Sequence, residues 1–514
     1  MTARTSPKWP LLCALVAVLV HWHALGNQFA LDDVLLVESN PAIESLAHLP
    51  RLFVEPYWNI PGENYGLYRP LTIASFNLNR AVFGTGPFGF HLVNVLLHAA
   101  VASLVWLALR RAGTRYGTAL MGGLLFAVLP IHTEAVANIA GRAELLAAMF
   151  VLAAWIAHRR ANEGGALARR WQLGAASLYL AAVLSKESAI LAPFLFFADD
   201  VLRGREAAPR RGRLLVGYGT AGAVMLALRG VALGVHQSAA ATIPLDNPAA
   251  AAGWWPRVLT AAWVQLRYAW LCLAPVQLSS DYSFDAIPVA RSLADPRALG
   301  GLAFLAALVA ATVWGFRHSR PVALAVLAWV GFFLPSSNLL FATGTIMAER
   351  LAYLPSLGLC LAIGHFVAIG AGRQEPAAAT RGRPIIIVAL AAVLVSGFAA
   401  RTWARIPDWK NNLALALADV ATTPRSAKLQ AGAGMFLAEA GRADEAEDHL
   451  RRAVAIYPDY AQMHYNLAVL LARRGARDEA AEHLRRAIEI APGDTSRPSC
   501  SMPAACSSTS ITPS

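Results

Sequence analysis

Long apolar runs alternate with short polar links through the first 400 residues. A helix needs about 20 mostly apolar residues to cross a bilayer, so we interpret these runs as membrane-spanning helices. Eleven runs fall near 10–26, 90–109, 117–132, 143–158, 171–185, 188–202, 213–235, 298–316, 321–340, 350–371 and 384–400. A twelfth run, 257–275, contains Arg257 and Arg267 and is predicted to be an amphipathic interfacial helix. The pattern predicts an all-α polytopic membrane domain over residues 1–401.

The pattern changes after residue 400. The composition from there on is typical of a soluble domain, and residue types recur every 34 positions. The same residue types recur at this spacing: Pro424, Pro458 and Pro492, Gly441 and Gly475, Ala446 and Ala480, and Leu450 and Leu484. This period is typical of tetratricopeptide helix–turn–helix units. We predict a linker with a partial repeat over 402–424 and two repeats over 425–492. The tail, 493–514, has no period and is predicted to be disordered or non-native sequence.

Composition and charge exclude an ordinary soluble protein. Of the 514 residues, 56% are hydrophobic and 15% are charged, yet the net charge is +12. The basic residues concentrate in short links between the runs, as in cytoplasmic loops of membrane proteins. They are Arg110, Arg111, Arg115, Arg159, Arg160, Arg169, Arg170, Arg203, Arg205, Arg210, Arg211, Arg213, Arg317, Arg320, Arg373, Arg381 and Arg383. The positive charge is therefore expected in the cytoplasmic links of a protein embedded in a lipid bilayer, and no nucleic-acid partner is expected.

Placing all of these links in the cytoplasm sets the orientation, provided that 257–275 does not cross. The amino terminus then lies inside, and the first outer loop, 27–89, shares the outer side with the repeats. Residues 1–26 are predicted to be a retained span rather than a cleaved signal peptide. We expect an integral membrane protein with its active face and repeats in the bacterial periplasm, or in the endoplasmic reticulum lumen of a eukaryote.

The first outer loop carries two adjacent carboxylates, Asp32 and Asp33, and farther on Arg69. Charge close to hydrocarbon is costly, so ionisable groups there are candidates for function. A carboxylate can remove a proton from a hydroxyl, and a guanidinium can hold a phosphate. The combination predicts a transferase acting on a lipid-linked substrate.

A series of short motifs extends over most of the chain. They are Leu31-Asp32-Asp33, Tyr68-Arg69-Pro70-Leu71-Thr72, Phe90-His91-Leu92-Val93-Asn94, Pro130-Ile131-His132-Thr133-Glu134, Gly141-Arg142-Ala143-Glu144, Ser185-Lys186-Glu187-Ser188, Leu334-Pro335-Ser336-Ser337-Asn338 and Ala348-Glu349-Arg350. Their order and spacing resemble the transmembrane and tetratricopeptide-repeat protein O-mannosyltransferases, which belong to the C-type superfamily of glycosyltransferases. The resemblance implies transfer of a sugar, mannose in eukaryotic members, from a polyprenyl phosphate to a protein hydroxyl. The short repeat array and the composition suggest a bacterial member.

In such a reaction a Ser or Thr hydroxyl attacks the anomeric carbon and inverts it, through a transition state that resembles an oxocarbenium ion. The hydroxyl needs a base, and we assign that role to Asp32. Asp33 is expected to orient Asp32 or the acceptor. The alternative is that one of these carboxylates caps a short helix or turn that begins at Val34.

Four cations on the predicted outer face are candidates for binding the departing lipid phosphate: Arg69, Arg142, Lys186 and Arg350. Three of them have a carboxylate close by in sequence and could pair with it instead: Glu144, Glu187 and Glu349.

Five further polar residues are predicted to bind substrate: Tyr68, His91, Asn94, His132 and Glu134. The alternative role of the histidines is hydrogen bonding between helices. No metal is expected, because His91 and His98 are seven residues apart and no carboxylate shares their helix face. No cofactor is expected beyond the lipid-linked sugar as co-substrate. A protein acceptor, bound through the repeats, is the expected partner.

Two other functions were compared with the transferase hypothesis. A ligase or polymerase of pyrophosphate-linked oligosaccharides would carry a large late outer loop with paired Arg and His, which this chain lacks. A non-catalytic, membrane-anchored repeat scaffold gives no reason for ionisable groups to collect on one face. The sequence favours the transferase.

Overall fold

The computed structural model describes residues 8–58, 66–204, 211–234, 243–371 and 383–491. The predicted tail, 493–514, lies outside these ranges, as do four of the basic link residues: Arg205, Arg210, Arg373 and Arg381. The described residues are mostly helical and contain no strand, which confirms the all-α class.

The described membrane domain contains these helices, in chain order: α1 (Lys8–His21), α2 (Pro70–Phe83), α3 (Pro87–Arg111), α4 (Tyr116–Val128), α5 (Thr133–Ala137), α6 (Arg142–Glu163), α7 (Ala168–Ser185), α8 (Ala192–Leu202), α9 (Arg211–Leu233), α10 (Pro248–Ala251), α11 (Trp254–Leu273), α12 (Pro296–His318), α13 (Arg320–Phe333), α14 (Ser356–Gly370) and α15 (Arg383–Arg405). The repeat region contains α16 (Asn412–Thr422), α17 (Ala427–Glu439), α18 (Ala443–Ile456), α19 (Ala461–Arg473) and α20 (Arg477–Ile490). Short 3₁₀ turns join several of them.

Every predicted span is at least partly helical, but the helices differ in length. In the described residues, six segments are long and apolar enough to cross a bilayer by themselves: Lys8–Gly26, Pro87–Arg111, Ile139–Glu163, Arg211–Leu233, Pro296–His318 and Ile385–Lys410. Tyr116–Val128 and Pro130–Ala137, bent by 49° at their junction, make a seventh if they count as one span.

The other four predicted spans, 171–185, 188–202, 321–340 and 350–371, do not pass the same test. Their helices are shorter or more polar than a full crossing, and α8 has only 11 residues. Proline delays some of these helices, because Pro193 stands in the first turn of α8 and Pro355 immediately precedes α14. The residues before those prolines form 3₁₀ turns instead.

The bundle is built from closely packed helix pairs whose outer faces are apolar. Helix α6 packs along α7, α4 along α14, and α1 along α3. On α12 and α15 large apolar side chains such as Val309, Ile385 and Val393 are exposed. Such faces suit hydrocarbon rather than water, which supports a membrane-embedded bundle.

The two ends of the bundle differ in charge. Helix α3 has 25 residues and is about 37 Å long at 1.5 Å per residue. At its carboxyl end, basic links converge on the buried carboxylate of Asp199, which accepts a hydrogen bond from Arg320 at 2.5 Å and pairs with Arg203 at 3.4 Å. Arg203 also donates to the carbonyl of Arg111. The other end holds the acidic and aromatic loops described below.

The repeats dock on that second end. The Asp419 carboxylate on α16 pairs with Arg405 at 2.7 Å and accepts from the Ser280 amide at 2.9 Å. Lys428 on α17 pairs with Asp246 at 2.8 Å. The first repeat helices and the polar loops of the membrane domain therefore share one end of the molecule.

The 34-residue period corresponds to buried contacts inside the repeats. Leu450 and Ala446 on α18 pack with Leu437 on α17 and Leu471 on α19. Leu484, which stands one period after Leu450, is 38% exposed. No described helix follows α20 to cover it, and a repeat buries that face only against a neighbour.

Close packing in the bundle depends on small residues, and we predict that Gly364→Ala will disrupt it. A methyl group there would lie 2.6 Å from the Thr118 carbonyl oxygen on α4. Because backbone atoms cannot rotate away, we expect a loss of roughly 1–3 kcal/mol of stability. Thermal unfolding in detergent measures it. Gly397→Ala on α15 is the control, since nothing lies within 4 Å of its added methyl; equal melting temperatures for the two variants would contradict this packing.

Candidate active site

Arg142 lies fully buried at the start of α6. Its guanidinium donates to Asn94 Oδ1 and Asn79 Oδ1, each at 2.8 Å, and to the Phe90 carbonyl at 2.9 Å. It also stacks on the Phe76 ring, 4.7 Å from the centroid. These contacts occupy the side chain inside the protein, so the predicted phosphate ligand Arg142 instead holds three segments of the fold together.

Asn94 extends the same buried frame. Besides accepting from Arg142, its amide donates to the carbonyls of Asn138 at 3.1 Å and Ile139 at 3.3 Å. The turn that they form passes through Gly141, where an added methyl would collide with the backbone of Ala135. Asn94, a predicted substrate ligand, therefore positions this turn through hydrogen bonds to the protein.

Asp33 docks the first outer loop on the same turn. It is completely buried, and its carboxylate accepts from the Ala140 amide at 2.7 Å and the Ala30 amide at 3.3 Å. Burial raises the pKa of Asp33 to about 7, although these amide bonds act in the opposite direction. Its side chain makes no cap bond to the turn that begins at Val34. The Asp33 side chain therefore holds the first outer loop in place. It can orient Asp32 only through the backbone that joins the two residues.

Asp32 and Arg350 form the open part of the site. The Asp32 carboxylate is 30% exposed and lies 3.5 Å from Nη1 of Arg350, whose side chain is 34% exposed. Nη1 also pairs with Glu134 Oε1 at 3.1 Å, and the Arg350 amide donates to Glu134 Oε2 at 2.8 Å. Glu134 is buried and holds Arg350 on its protein-facing side, whereas Asp32 remains accessible to solvent.

Arg69 is held in a second ion pair beside this one. Its guanidinium makes a bidentate contact with Glu187, at 2.9 and 2.6 Å, and stacks on the Tyr57 ring. Lys186, next to Glu187 in the chain, lines a recess together with Leu351, next to Arg350, so the two ion pairs lie close to each other. Burial alone would raise the pKa of Glu187, but the Arg69 guanidinium holds it at about 2.

Lys186 completes the set of cations. It pairs with Glu144 in a small recess whose lining includes Ser188, Ser336 and Pro355. It is also within electrostatic reach of Arg69 and Arg350. Three of the four predicted cations therefore surround one region at the end of the bundle.

The remaining predicted substrate residues have interior partners. The Tyr68 hydroxyl donates to the Phe53 carbonyl at 2.7 Å, and His91 contacts the Gln28 carbonyl at 3.4 Å. His132 is enclosed between the Phe126 carbonyl and the Ser356 hydroxyl. Nowhere in the described ranges do three His, Cys, Asp or Glu side chains form a group able to hold a metal ion.

The ion pairs differ from those expected from sequence neighbours. Glu144 pairs with Lys186, and Glu187 with Arg69, rather than with the adjacent cations. Residues one or two positions apart on a helix do not face each other. Tyr57 was missed entirely, since nothing in the local sequence marks an aromatic residue that will stack on Arg69.

Comparison with known proteins identifies families and relatives that the chain resembles. Residues 237–309 match the family model "Protein O-mannosyl-transferase TMTC, DUF1736", and 411–461 and 437–498 match tetratricopeptide repeat models. Mouse protein O-mannosyl-transferase TMTC3 is 30% identical over 478 residues, which is 87% of this chain and 51% of the mouse protein. The Drosophila melanogaster Tmtc3 protein is 30% identical over 89% of this chain and 56% of its own length.

The chain is similar to TMTC proteins over most of its own length. It spans about half the length of the curated TMTC relatives that it matches. Among solved structures, ArnT from Cupriavidus metallidurans bound to undecaprenyl phosphate aligns with a TM-score of 0.44 and 15% identity. That alignment covers 95% of this chain and 76% of ArnT.

The segment matched by the TMTC model lies within the membrane domain and contacts the repeat region. Its described part includes α10, α11 and the beginning of α12. The predicted interfacial helix over 257–275 corresponds to α11, which packs along α12 and is not among the six full-length spans. The loop after α11 contacts α16 through Ser280. The segment that matches the TMTC model therefore also contacts the repeats.

The Arg69–Glu187 pair yields a prediction about pH. Because folding lowers the pKa of Glu187 from its usual value of about 4.3, the pair stabilises the protein above that pH, and the contribution disappears as pH falls toward 2. We expect Glu187→Gln to unfold at a lower temperature than wild type at pH 7, with the difference shrinking below about pH 4.3.

Thermal unfolding between pH 7 and pH 3 measures this difference. Glu44→Gln is the control, because Glu44 pairs with Arg80 on the surface at 3.8 Å, and surface pairs contribute little. A difference for Glu187→Gln that stays constant over the whole range would contradict the assignment.

Proposed function

We propose that this chain is an inverting glycosyltransferase that transfers mannose from a polyprenyl-phosphate donor to Ser or Thr hydroxyls of a protein acceptor. The names of its TMTC relatives support the reaction class. The observation that carries the proposal is the Asp32–Arg350 pair, a part-exposed carboxylate 3.5 Å from a guanidinium at the polar end of a membrane bundle.

Asp32 is the proposed base. As the acceptor oxygen bonds to the anomeric carbon, the bond from that carbon to the phosphate oxygen breaks, and the hydroxyl proton passes to the Asp32 carboxylate. A separation of 3.5 Å leaves no room for a sugar between Asp32 and Arg350. Donor binding must therefore separate the two side chains. Asp32 is then free to accept a proton, while Arg350 stays paired with Glu134.

Arg350, Arg69 and Lys186 are the proposed phosphate ligands. The leaving phosphate gains negative charge, and cations already in place stabilise it without reorganisation. Each cation pairs with a carboxylate in the unliganded site, so the phosphate must compete with these partners. Arg350 is the most exposed of the three and is the expected first contact.

The repeats are proposed to bring the protein acceptor to this site. They dock at the same end of the bundle through Asp419 and Lys428. We place this end outside the cytoplasm, in the periplasm or the endoplasmic reticulum lumen, because the basic links lie together at the other end.

The first test is Asp32→Asn, which keeps the shape of the side chain but removes the base. We expect transfer from polyprenyl-phosphate mannose to a Ser/Thr peptide to fall by roughly 10²- to 10⁴-fold. Glu38→Gln, an exposed carboxylate in the same loop, is the matched control and should retain activity. Normal expression with unchanged transfer in Asp32→Asn would refute the mechanism and leave the scaffold alternative.

The second test removes residues 459–514, and with them α19 and α20. Helices α16 to α18 remain and keep the contacts to the membrane domain made by Asp419 and Lys428. We expect transfer to a folded protein acceptor to decrease, while transfer to a short peptide is retained. Activity assays with both acceptors measure this, and an equal loss for the two would contradict recruitment by the repeats.

A further inference from the structure

The backbone just before Asp32 adopts an unusual conformation. Leu31 has a φ of +50°, in the left-handed region that residues with a bulky side chain rarely enter. Such a conformation persists only where surrounding contacts hold it, and it tends to occur at functional sites. Because Asp32 follows directly, the Leu31 conformation sets the direction in which the Asp32 side chain leaves the backbone.

The contact that holds Leu31 comes from the repeat region. Its amide donates to Oδ1 of Asn412 at 2.7 Å, and Asn412 is the first residue of α16. Two neighbouring bonds run in parallel, from the Gln28 amide to the Lys410 carbonyl at 2.8 Å and from the Asn27 side chain to the Ile406 carbonyl at 3.3 Å. Of these three bonds, only the Asn412 bond depends on a side chain of the repeat region.

The other side of the loop is held by the membrane domain. Asp33 accepts from Ala140, which ties the loop to the turn before α6. The Asp32 carboxylate therefore emerges between two fixed points, one on the bundle and one on the repeat region, and reaches Arg350.

We propose that Asn412 is a positioning residue for catalysis: its side-chain oxygen holds Leu31 in the left-handed conformation and so aims Asp32 at the reacting hydroxyl. This inference rests on the proposed function, in which Asp32 is the base. It makes the start of the repeat region part of the active site, in addition to any role of the later repeats in acceptor binding.

The experiment compares Asn412→Ala with Asn412→Asp and Asn411→Ala in the full-length protein. The Asn411 side chain caps α16 by accepting from the Ala414 amide, whereas Leu31 bonds to Asn412, so replacing Asn411 tests helix stability alone. Steady-state transfer from polyprenyl-phosphate mannose to a Ser/Thr peptide supplies kcat and the donor KM. Thermal unfolding supplies the stability of each variant.

We expect Asn412→Ala to lower kcat by roughly 10- to 100-fold, as for a misplaced catalytic group. The donor KM should stay unchanged, because the proposed phosphate ligands Arg350, Arg69 and Lys186 keep their positions. Asn412→Asp retains an acceptor oxygen and should keep most of the activity. Adding Leu31→Gly to Asn412→Ala should recover part of kcat, since glycine enters the left-handed region without a steric cost.

Three results would overturn the inference: full activity in Asn412→Ala, an equal loss of kcat in Asn411→Ala, or no recovery with Leu31→Gly. Its failure is separable from that of the proposed function. If Asp32→Asn is active, the proposed function fails whatever Asn412 does. If Asp32→Asn is inactive and Asn412→Ala is fully active, only the role of Asn412 is wrong.

Discussion

The buried guanidinium of Arg142 constrains the polar end of the bundle. A charge enclosed this way is tolerable only with its hydrogen bonds made. Its partners lie on α2 and α3, and Arg142 itself begins α6. Those three elements are thereby fixed relative to one another. The turn before α6 receives Asp33, so the loop that carries Asp32 takes its position from the Arg142 frame.

Ion pairs between distant segments build the site on this frame. Arg69 pairs with Glu187 and Lys186 with Glu144, and in each pair the partners come from different helices or turns. A buried ion pair adds little net stability, but removing one partner is costly because the other charge stays behind. Such pairs fix the relative positions of the segments that they join. They also hold the cations in place beside Asp32.

The repeat region is continuous with this arrangement rather than a separate attachment. Arg405, at the end of α15, and Asp419, on α16, form a buried pair that joins the last span to the first repeat helix. From there Asn412 reaches back to Leu31, beside the proposed base. A chain that couples recruitment of a protein acceptor to sugar transfer would benefit from this rigid connection, because it fixes the distance between the two sites.

The sequence alone determined the helical class and the order of a membrane bundle followed by repeats, because apolar runs and the 34-residue period are local patterns. It also singled out Asp32, Arg69, Lys186 and Arg350 as ionisable groups near hydrocarbon. Only the tertiary structure decided that Arg142, Asn94 and Asp33 form a buried frame, and which carboxylate faces which cation. Those contacts join residues far apart in the chain, such as Asp33 and Ala140, separated by 107 positions, and no local pattern encodes such a pairing.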